Sequence, residues 1–235
     1  MKTVIIYEDK DILVIQKPSG LATQTAKVGQ ADVVSELKNY LAAQKNGYLG
    51  VIHRLDQPVE GLLVFAKNKK AAGNLSKQLQ LGTLHKQYYA VVCGLFPQKQ
   101  GELVDYLRKE DNYAKVVTGK QAQYPDAQKA VLQYRILQEI NEPWKLALAD
   151  IHIDTGRFHQ IRAQMAHAGM PLLGDTKYAE ESMQEPGRSL GVRNVALCAY
   201  HLTFQHPATN KQMSFQIRPE GKAFAYFESN NFGLL

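Results

Sequence analysis

The chain has 235 residues, 45% hydrophobic and 21% charged, with 28 Lys and Arg against 22 Asp and Glu for a formal net charge of +6. This length supports one sizeable core or two modest subdomains, and no run approaches the roughly 18 apolar residues of a membrane-spanning helix. The acidic turn after Tyr7 leaves no apolar leader segment, so a cytoplasmic location is expected, and the basic balance points mildly to a polyanionic partner.

Thr3–Tyr7 and Ile12–Gln16 are rich in Ile and Val and flank the polar stretch Glu8–Asp11, which predicts a β-hairpin. Lys17-Pro18-Ser19-Gly20 ends the ladder, because proline lacks an N–H donor and glycine admits positive φ. Between Ala31 and Gln44 the residues Val33, Val34, Leu37, Leu41 and Ala42 recur at helical spacing, with Asp32 as N-cap and Asn46-Gly47 as the stop. Val51-Ile52 then leads into His53-Arg54-Leu55-Asp56, and Leu62–Ala66 reads as a buried strand. An arginine two positions before an aspartate on extended backbone puts a fixed positive charge and a carboxylate on one side. That pairing holds a carboxylate ionised and aims it at a substrate; an ordinary ion pair at a strand end has the same sequence.

Lys69–Leu81 is predicted helical, with Ala72, Leu75 and Leu79 toward the core, Lys69, Lys70 and Lys77 in solvent, and Gly82 as the stop. Strands are predicted at Leu84–Gly94 and Glu102–Leu107, separated by Phe96-Pro97 and Gly101. In the first of these, Lys86 and Tyr88 share one face and Gln87 and Tyr89 the other. A phenol beside a cation relays a proton or stacks on a base, whereas a strand tyrosine also serves simple packing. Lys129–Glu139 and Trp144–Ile153 form another antiparallel pair, turned at Asn141-Glu142-Pro143. Asp154–Arg162 passes through Gly156 into a helix reaching His167, stopped by Gly169 and Pro171. Arg157, His159 and Arg162 fall in its first turns, where unpaired backbone N–H groups favour an anion and arginine grips phosphate or carboxylate with two bonds. A charged, solvated helix face reads the same way.

Asp175–Arg193 is predicted to be a long polar surface loop, and Val195–Phe204 with Gln212–Ile217 a hairpin around His206–Asn210. Cys93 and Cys198 lie far apart in apolar runs and are expected as buried free thiols, with neither a disulfide nor a metal cage. Short turns between successive strands predict an α+β fold on a mixed, largely antiparallel sheet, with no domain boundary marked in the sequence.

Taken together, Arg54-Leu55-Asp56 with Gly61 and Leu62–Lys67, the Lys-x-Tyr strand at Lys86–Val91, and Gly156-Arg157-Phe158-His159-Gln160-Ile161-Arg162 followed by Gly174-Asp175-Thr176-Lys177-Tyr178 resemble the RluA family of pseudouridine synthases. Lys17-Pro18-x-Gly20 and His206-Pro207 extend the resemblance over most of the chain. The resemblance implies a single pseudouridine synthase catalytic domain over residues 1–235 with an active-site cleft and no separate S4-type RNA-binding domain. It implies isomerisation of a uridine in structured rRNA or tRNA after base flipping, with Asp56 as the catalytic carboxylate, Arg162 paired with it and Tyr88 against the base. Arg54 would fill the space left by the flipped base, and His53, Lys86, Arg157, His159, Gln160 and Ile161 would complete the RNA-binding site. RNA is the implied partner of a monomer, with no metal and no cofactor.

Four positions depart from the family pattern: Val59-Glu60 stands where Thr-Ser is common, Gln57 where Arg or Lys is frequent, and Cys198 where His often lies. Val59-Glu60 motivates an alternative, a catalytically silent RNA-binding protein on the same fold. A third reading is a hydrolase of a nucleoside glycosidic bond.

Overall fold

The computed structural model describes residues 2–25, 29–44, 47–94, 98–227 and 232; the expected helix stop at Asn46 and the turn at Phe96-Pro97 lie outside them. In chain order the elements are β1 (Val4–Glu8), β2 (Ile12–Lys17), α1 (Val33–Ala43), β3 (Gly50–Val51), β4 (Glu60–Ala66), α2 (Lys69–Gln80), β5 (His85–Cys93) and β6 (Gln100–Glu110). Then follow β7 (Tyr113–Val117), β8 (Gln128–Ile140), β9 (Leu146–Ile153), α3 (Gln160–His167), α4 (Glu185–Ser189), β10 (Leu197–Gln205) and β11 (Gln212–Gln216). The chain divides into two compact units, residues 1–86 with 198–219 and residues 87–197 with 220–233. The divisions fall inside β5 and β10, where no turn residue marks them.

In the first unit β1 and β2 form the expected hairpin, closed by Asp9 Oδ1, which accepts the Asp11 and Ile12 N–H groups at 2.8 Å each. β2 pairs antiparallel with β4, β4 parallel with β10 through Glu60↔Cys198 and Gly61↔Ala199, and β10 antiparallel with β11. Both β2 and β4 are buried along their whole length, which is why they read as continuous apolar runs and not as alternating ones. Asp32 Oδ1 caps α1 by accepting the Ser35 N–H at 2.7 Å, as its sequence predicts. Helix α2 buries Ala71 and Leu75, while Ala72 and Leu79 are half-buried. Leu75 faces the core as predicted, and Ala71, its i, i+4 partner, takes the buried place expected for Ala72.

The second unit is an antiparallel sheet in the order β5-β9-β8-β6-β7. Strand β7 was not expected from the sequence. It forms a hairpin with β6 through Asp111 at φ 49°, a left-handed position that aspartate tolerates, and its run of five residues, interrupted by Lys115, is too short to carry a clear period. Helix α3 packs Ala163 against Leu107, Ala114 and Ala130. The stretch predicted as a loop after Asp175 contains a 3-10 turn at Glu181–Met183 and α4, whose first turn holds Pro186.

Both cysteines are free and buried, and burial pushes the Cys93 thiol up to about 12. Among the described residues no helix is long and apolar enough to cross a membrane. Gly61 has φ 131°, and a Cβ there would lie 2.5 Å from the backbone N and O of Ala199. Gly61→Ala is expected to cost at least about 2 kcal/mol, measured as a lower urea midpoint at unchanged m-value.

Candidate active site

Residues 52–59 carry the chain from β3 to β4. Ile52, His53, Leu55 and Val59 are buried, Arg54 and Gln57 are exposed, and Asp56 is half-buried. Arg54 and Asp56 therefore turn outward together while Leu55 anchors the backbone, as their spacing requires. The anchor is polar as well as apolar: the buried Thr23 hydroxyl accepts the Leu55 N–H at 3.1 Å and donates to the Leu55 carbonyl at 2.8 Å. Ser19 Oγ donates to the Pro58 carbonyl at 2.6 Å, and the Gly20 N–H donates to the Gln57 carbonyl at 2.9 Å. The Val59 N–H closes a turn on the Asp56 carbonyl at 3.1 Å.

Lys17 lies at the centre of this stitching. It is 0% exposed, and its Nζ donates to the carbonyls of Pro18 at 3.0 Å, Leu21 at 2.6 Å and Gln57 at 3.1 Å. Burial pulls its ammonium down to about 8, opposed by the negative charges of Asp56 and Glu60. Glu60, the residue that departs from the family pattern, is 4% exposed. Its charge thus acts inward on Lys17 and adds little to the surface that an RNA meets.

His53 is 7% exposed, and its Nε2 accepts the Val64 N–H at 3.3 Å, which leaves its ring proton on Nδ1. Burial first, and the Lys86 ammonium second, hold it well below the ordinary histidine range, so it is neutral at physiological pH. It supports β4 from inside. Lys86, half-buried at the start of β5, is lowered to about 8 by burial. Asp9, Asp11 and His206 present metal-ligand atoms within 4.8 Å of one another. His206 Nδ1, however, accepts the N–H groups of Ala208 and Thr209 at 3.2 Å each, so Nε2 carries the proton and donates to Asp9 at 2.8 Å. The His206 ring is therefore engaged by its turn and by Asp9, while Asp11 Oδ2 is buried without a hydrogen-bond partner.

In the second unit Tyr88 is 5% exposed and pairs with Ile151 of β9. Arg162, also 5% exposed, is gripped by Asp175, with Nε donating to Oδ2 at 2.7 Å and Nη2 to Oδ1 at 2.8 Å. The Asp175 carboxylate is fixed in turn by the Lys177 and Tyr178 N–H groups, and the Tyr178 ring lies 5.0 Å from the Arg162 guanidinium carbon. Gln160 uses its buried amide inside the turn: Oε1 accepts from Thr155 Oγ1 at 2.9 Å and from the Arg157 N–H at 3.0 Å, and Nε2 donates to the Val131 carbonyl at 3.0 Å. Gln160 and Ile161 thus shape the start of α3 from within. Arg157 is exposed, and its Nε donates to the Lys129 carbonyl at 3.0 Å. His159 sits at φ 51° with Nδ1 2.7 Å from the Tyr178 hydroxyl. That hydroxyl also accepts the Ala114 N–H at 2.7 Å, so Tyr178 ties His159 to β7.

Lys17, Thr23 and Asp175 carry much of this geometry and were assigned no role from the sequence. Lys17 and Asp175 entered only as members of the motifs that carry the resemblance, and Thr23 carried no signal.

Among solved structures the chain resembles human RNA pseudouridylate synthase domain containing 4, with TM-score 0.76 and 24% identity over 94% of this chain and 92% of that one. Human RNA pseudouridylate synthase domain containing 1 also gives TM-score 0.76, with 18% identity over 92% and 83% of the two chains. The α+β scaffold is therefore the pseudouridine synthase fold. In sequence, the family model described as RNA pseudouridylate synthase matches residues 11–167. A Bacillus subtilis RNA pseudouridine synthase is 33% identical over 222 residues, covering 90% of this chain and 67% of the relative. The tRNA pseudouridine synthase C of Haemophilus ducreyi is 31% identical over 91% of this chain and 90% of its own, and the ribosomal large subunit pseudouridine synthase D of Pasteurella multocida 32% identical over 90% and 65%. The chain belongs to the RNA pseudouridylate synthase family, in its RluA branch, and is an isomerase that makes pseudouridine in RNA.

Asp175→Asn removes one partner of a buried ion pair and is expected to lower stability by about 3 kcal/mol, measured by urea denaturation. Lys17 titrates near 8 in the folded chain against 10.5 ordinarily. Between those values the unfolded chain binds more protons, so its contribution to stability grows as pH rises and is lost as pH falls through about 8. The stability of the native protein relative to Lys17→Met is expected to increase across that window in paired denaturation curves.

Proposed function

We propose that this enzyme isomerises a uridine of rRNA or tRNA with Asp56 as the catalytic carboxylate. The observation that carries this reading is the pinned loop, in which Thr23 and Lys17 hold the backbone on both sides of Asp56 while Arg54 and Asp56 turn outward. The names of the Haemophilus ducreyi and Pasteurella multocida relatives support tRNA and ribosomal RNA as the substrate class.

The reaction breaks the C–N glycosidic bond, turns the uracil and forms a C–C bond at the same sugar carbon. C5 of the base loses a proton and N1 gains one, so atoms balance without redox chemistry. Asp56 serves as nucleophile at the sugar carbon, or assists departure of the uracilate and removes a sugar proton. A uridine in folded RNA must first leave its stack, at a cost of a few kcal/mol. Arg54, exposed and planar, fills the gap and hydrogen-bonds there. The resemblance adds Arg162 as counter-charge to Asp56, Tyr88 on the base, and Lys86, Arg157 and His159 on the RNA. Lys17 is a positioning residue. A cytoplasmic monomer in which both units form one catalytic domain, needing neither metal nor cofactor, belongs to the same proposal.

The test uses ribosomal and transfer RNA from cells lacking the protein, incubated with native enzyme or Asp56→Asn, with nucleosides counted by mass spectrometry. Asp56→Asn is expected to lose at least about a hundredfold in rate while its RNA affinity hardly changes. Retained turnover would remove Asp56 from the mechanism, and free uracil released by the native enzyme would make it a hydrolase.

A further inference from the structure

A run of ring contacts leads outward from Arg162 within the second unit. The Arg162 guanidinium faces the Tyr178 ring at 5.0 Å, Tyr178 meets His159 edge-on at 5.6 Å, and His159 stacks on Phe158 at 3.8 Å with the planes 19° apart. Phe158 ends the run at the surface, 40% exposed, with Lys109 Nζ 5.1 Å from its ring centre. An aromatic ring of that exposure beside a backbone turn has no role in the core. The left-handed turn at His159 and its hydrogen bond with Tyr178 hold the stack in place, so its orientation is set before any ligand arrives.

The charges around Phe158 are unevenly committed. Asp126 accepts Arg108 at 2.7 Å, and Glu110 lies 3.9 Å from Arg108 and 3.6 Å from Lys115, so these acids face those cations. Lys109 has no carboxylate partner among the described residues, and Arg157, next to Phe158 in the chain, is exposed with its Nε bonded to the Lys129 carbonyl. An exposed flat ring with an ammonium against it and an arginine next to it in the chain suits single-stranded RNA, whose bases stack on aromatics while its phosphates seek ammonium and guanidinium groups.

We propose that Phe158 is a stacking platform for an unpaired base next to the target uridine, with Lys109 and Arg157 on the adjoining phosphates. The inference rests on the reading of Arg162 as an active-site residue, from which the ring run starts. Stacking extends recognition to a neighbouring nucleotide without reading its identity, because every base offers a flat face.

Two fluorescein-labelled probes test this by anisotropy: single-stranded oligouridylate of about twelve nucleotides, within the span one such surface covers, and an abasic ribose-phosphate oligomer of the same length. Phe158→Ala is expected to bind oligouridylate about tenfold more weakly and the abasic oligomer as the native protein does, and Phe158→Trp to restore the loss. Lys109→Gln is expected to weaken both probes and to lower the salt slope by about one. Thermal melts of each variant show that the fold is kept. Oligouridylate binding unchanged by Phe158→Ala overturns the proposal and marks the patch as a protein-facing surface, and equal loss of both probes overturns it as well. The isomerase reading fails by a different result, absence of pseudouridine in every RNA treated with native enzyme, which these binding curves do not report.

Discussion

A buried ammonium organises the candidate site. Lys17 stands at the end of β2 with no exposed surface, and taking such a charge out of water is expensive unless acceptors and opposite charges surround it. Here the carbonyls of Pro18, Leu21 and Gln57 accept its protons, and Asp56 and Glu60 supply negative charge. Those acceptors belong to two segments far apart in sequence, the turn that leaves β2 and the loop that enters β4. Bonding both, Lys17 makes the position of the Asp56 loop a consequence of the strand pairing of β2 with β4. A carboxylate held this way is oriented before the substrate binds, which is where preorganised sites gain most of their effect.

The second unit uses a related device with the charges exchanged in role. Arg162 is buried because Asp175 receives it with two bonds, and Asp175 is itself held by backbone N–H groups of the turn that carries Tyr178. The guanidinium plane and the Tyr178 ring then fix each other. In both units a buried cation is held by backbone carbonyls or a carboxylate of the fold, Lys17 by Pro18, Leu21 and Gln57 and Arg162 by Asp175. Glu60 shows how a departure from family pattern is absorbed: it is buried and adds to the field on Lys17.

Much of the fold was legible because apolar periodicity carries it. The β1–β2 hairpin, α1 with its Asp32 cap, the long β8–β9 pair and the β10–β11 hairpin follow directly from pattern and turn chemistry. Strand β7 was hidden by its length of five residues, α4 by its Pro and Gly, and the division within β5 and β10 by the absence of any break in the strands. Alternation along the backbone was enough to place Arg54 and Asp56 on one side, although residues 52–59 form a connection between β3 and β4 and not a strand. The site was not legible where a side chain bonds distant backbone: nothing in periodicity shows that Thr23 clamps Leu55 or that the Lys17 side chain turns inward. The same limit applies to His53, Gln160 and Ile161, read from the motif as RNA-facing, whose side chains lie inside the fold.

The most direct measurement of the central claim is a pseudouridine map of ribosomal and transfer RNA from cells with and without this protein. An Asp56-bearing isomerase on a pinned loop predicts that at least one site disappears without the protein and returns when the native chain is supplied. A map that is identical in both cells would contradict it.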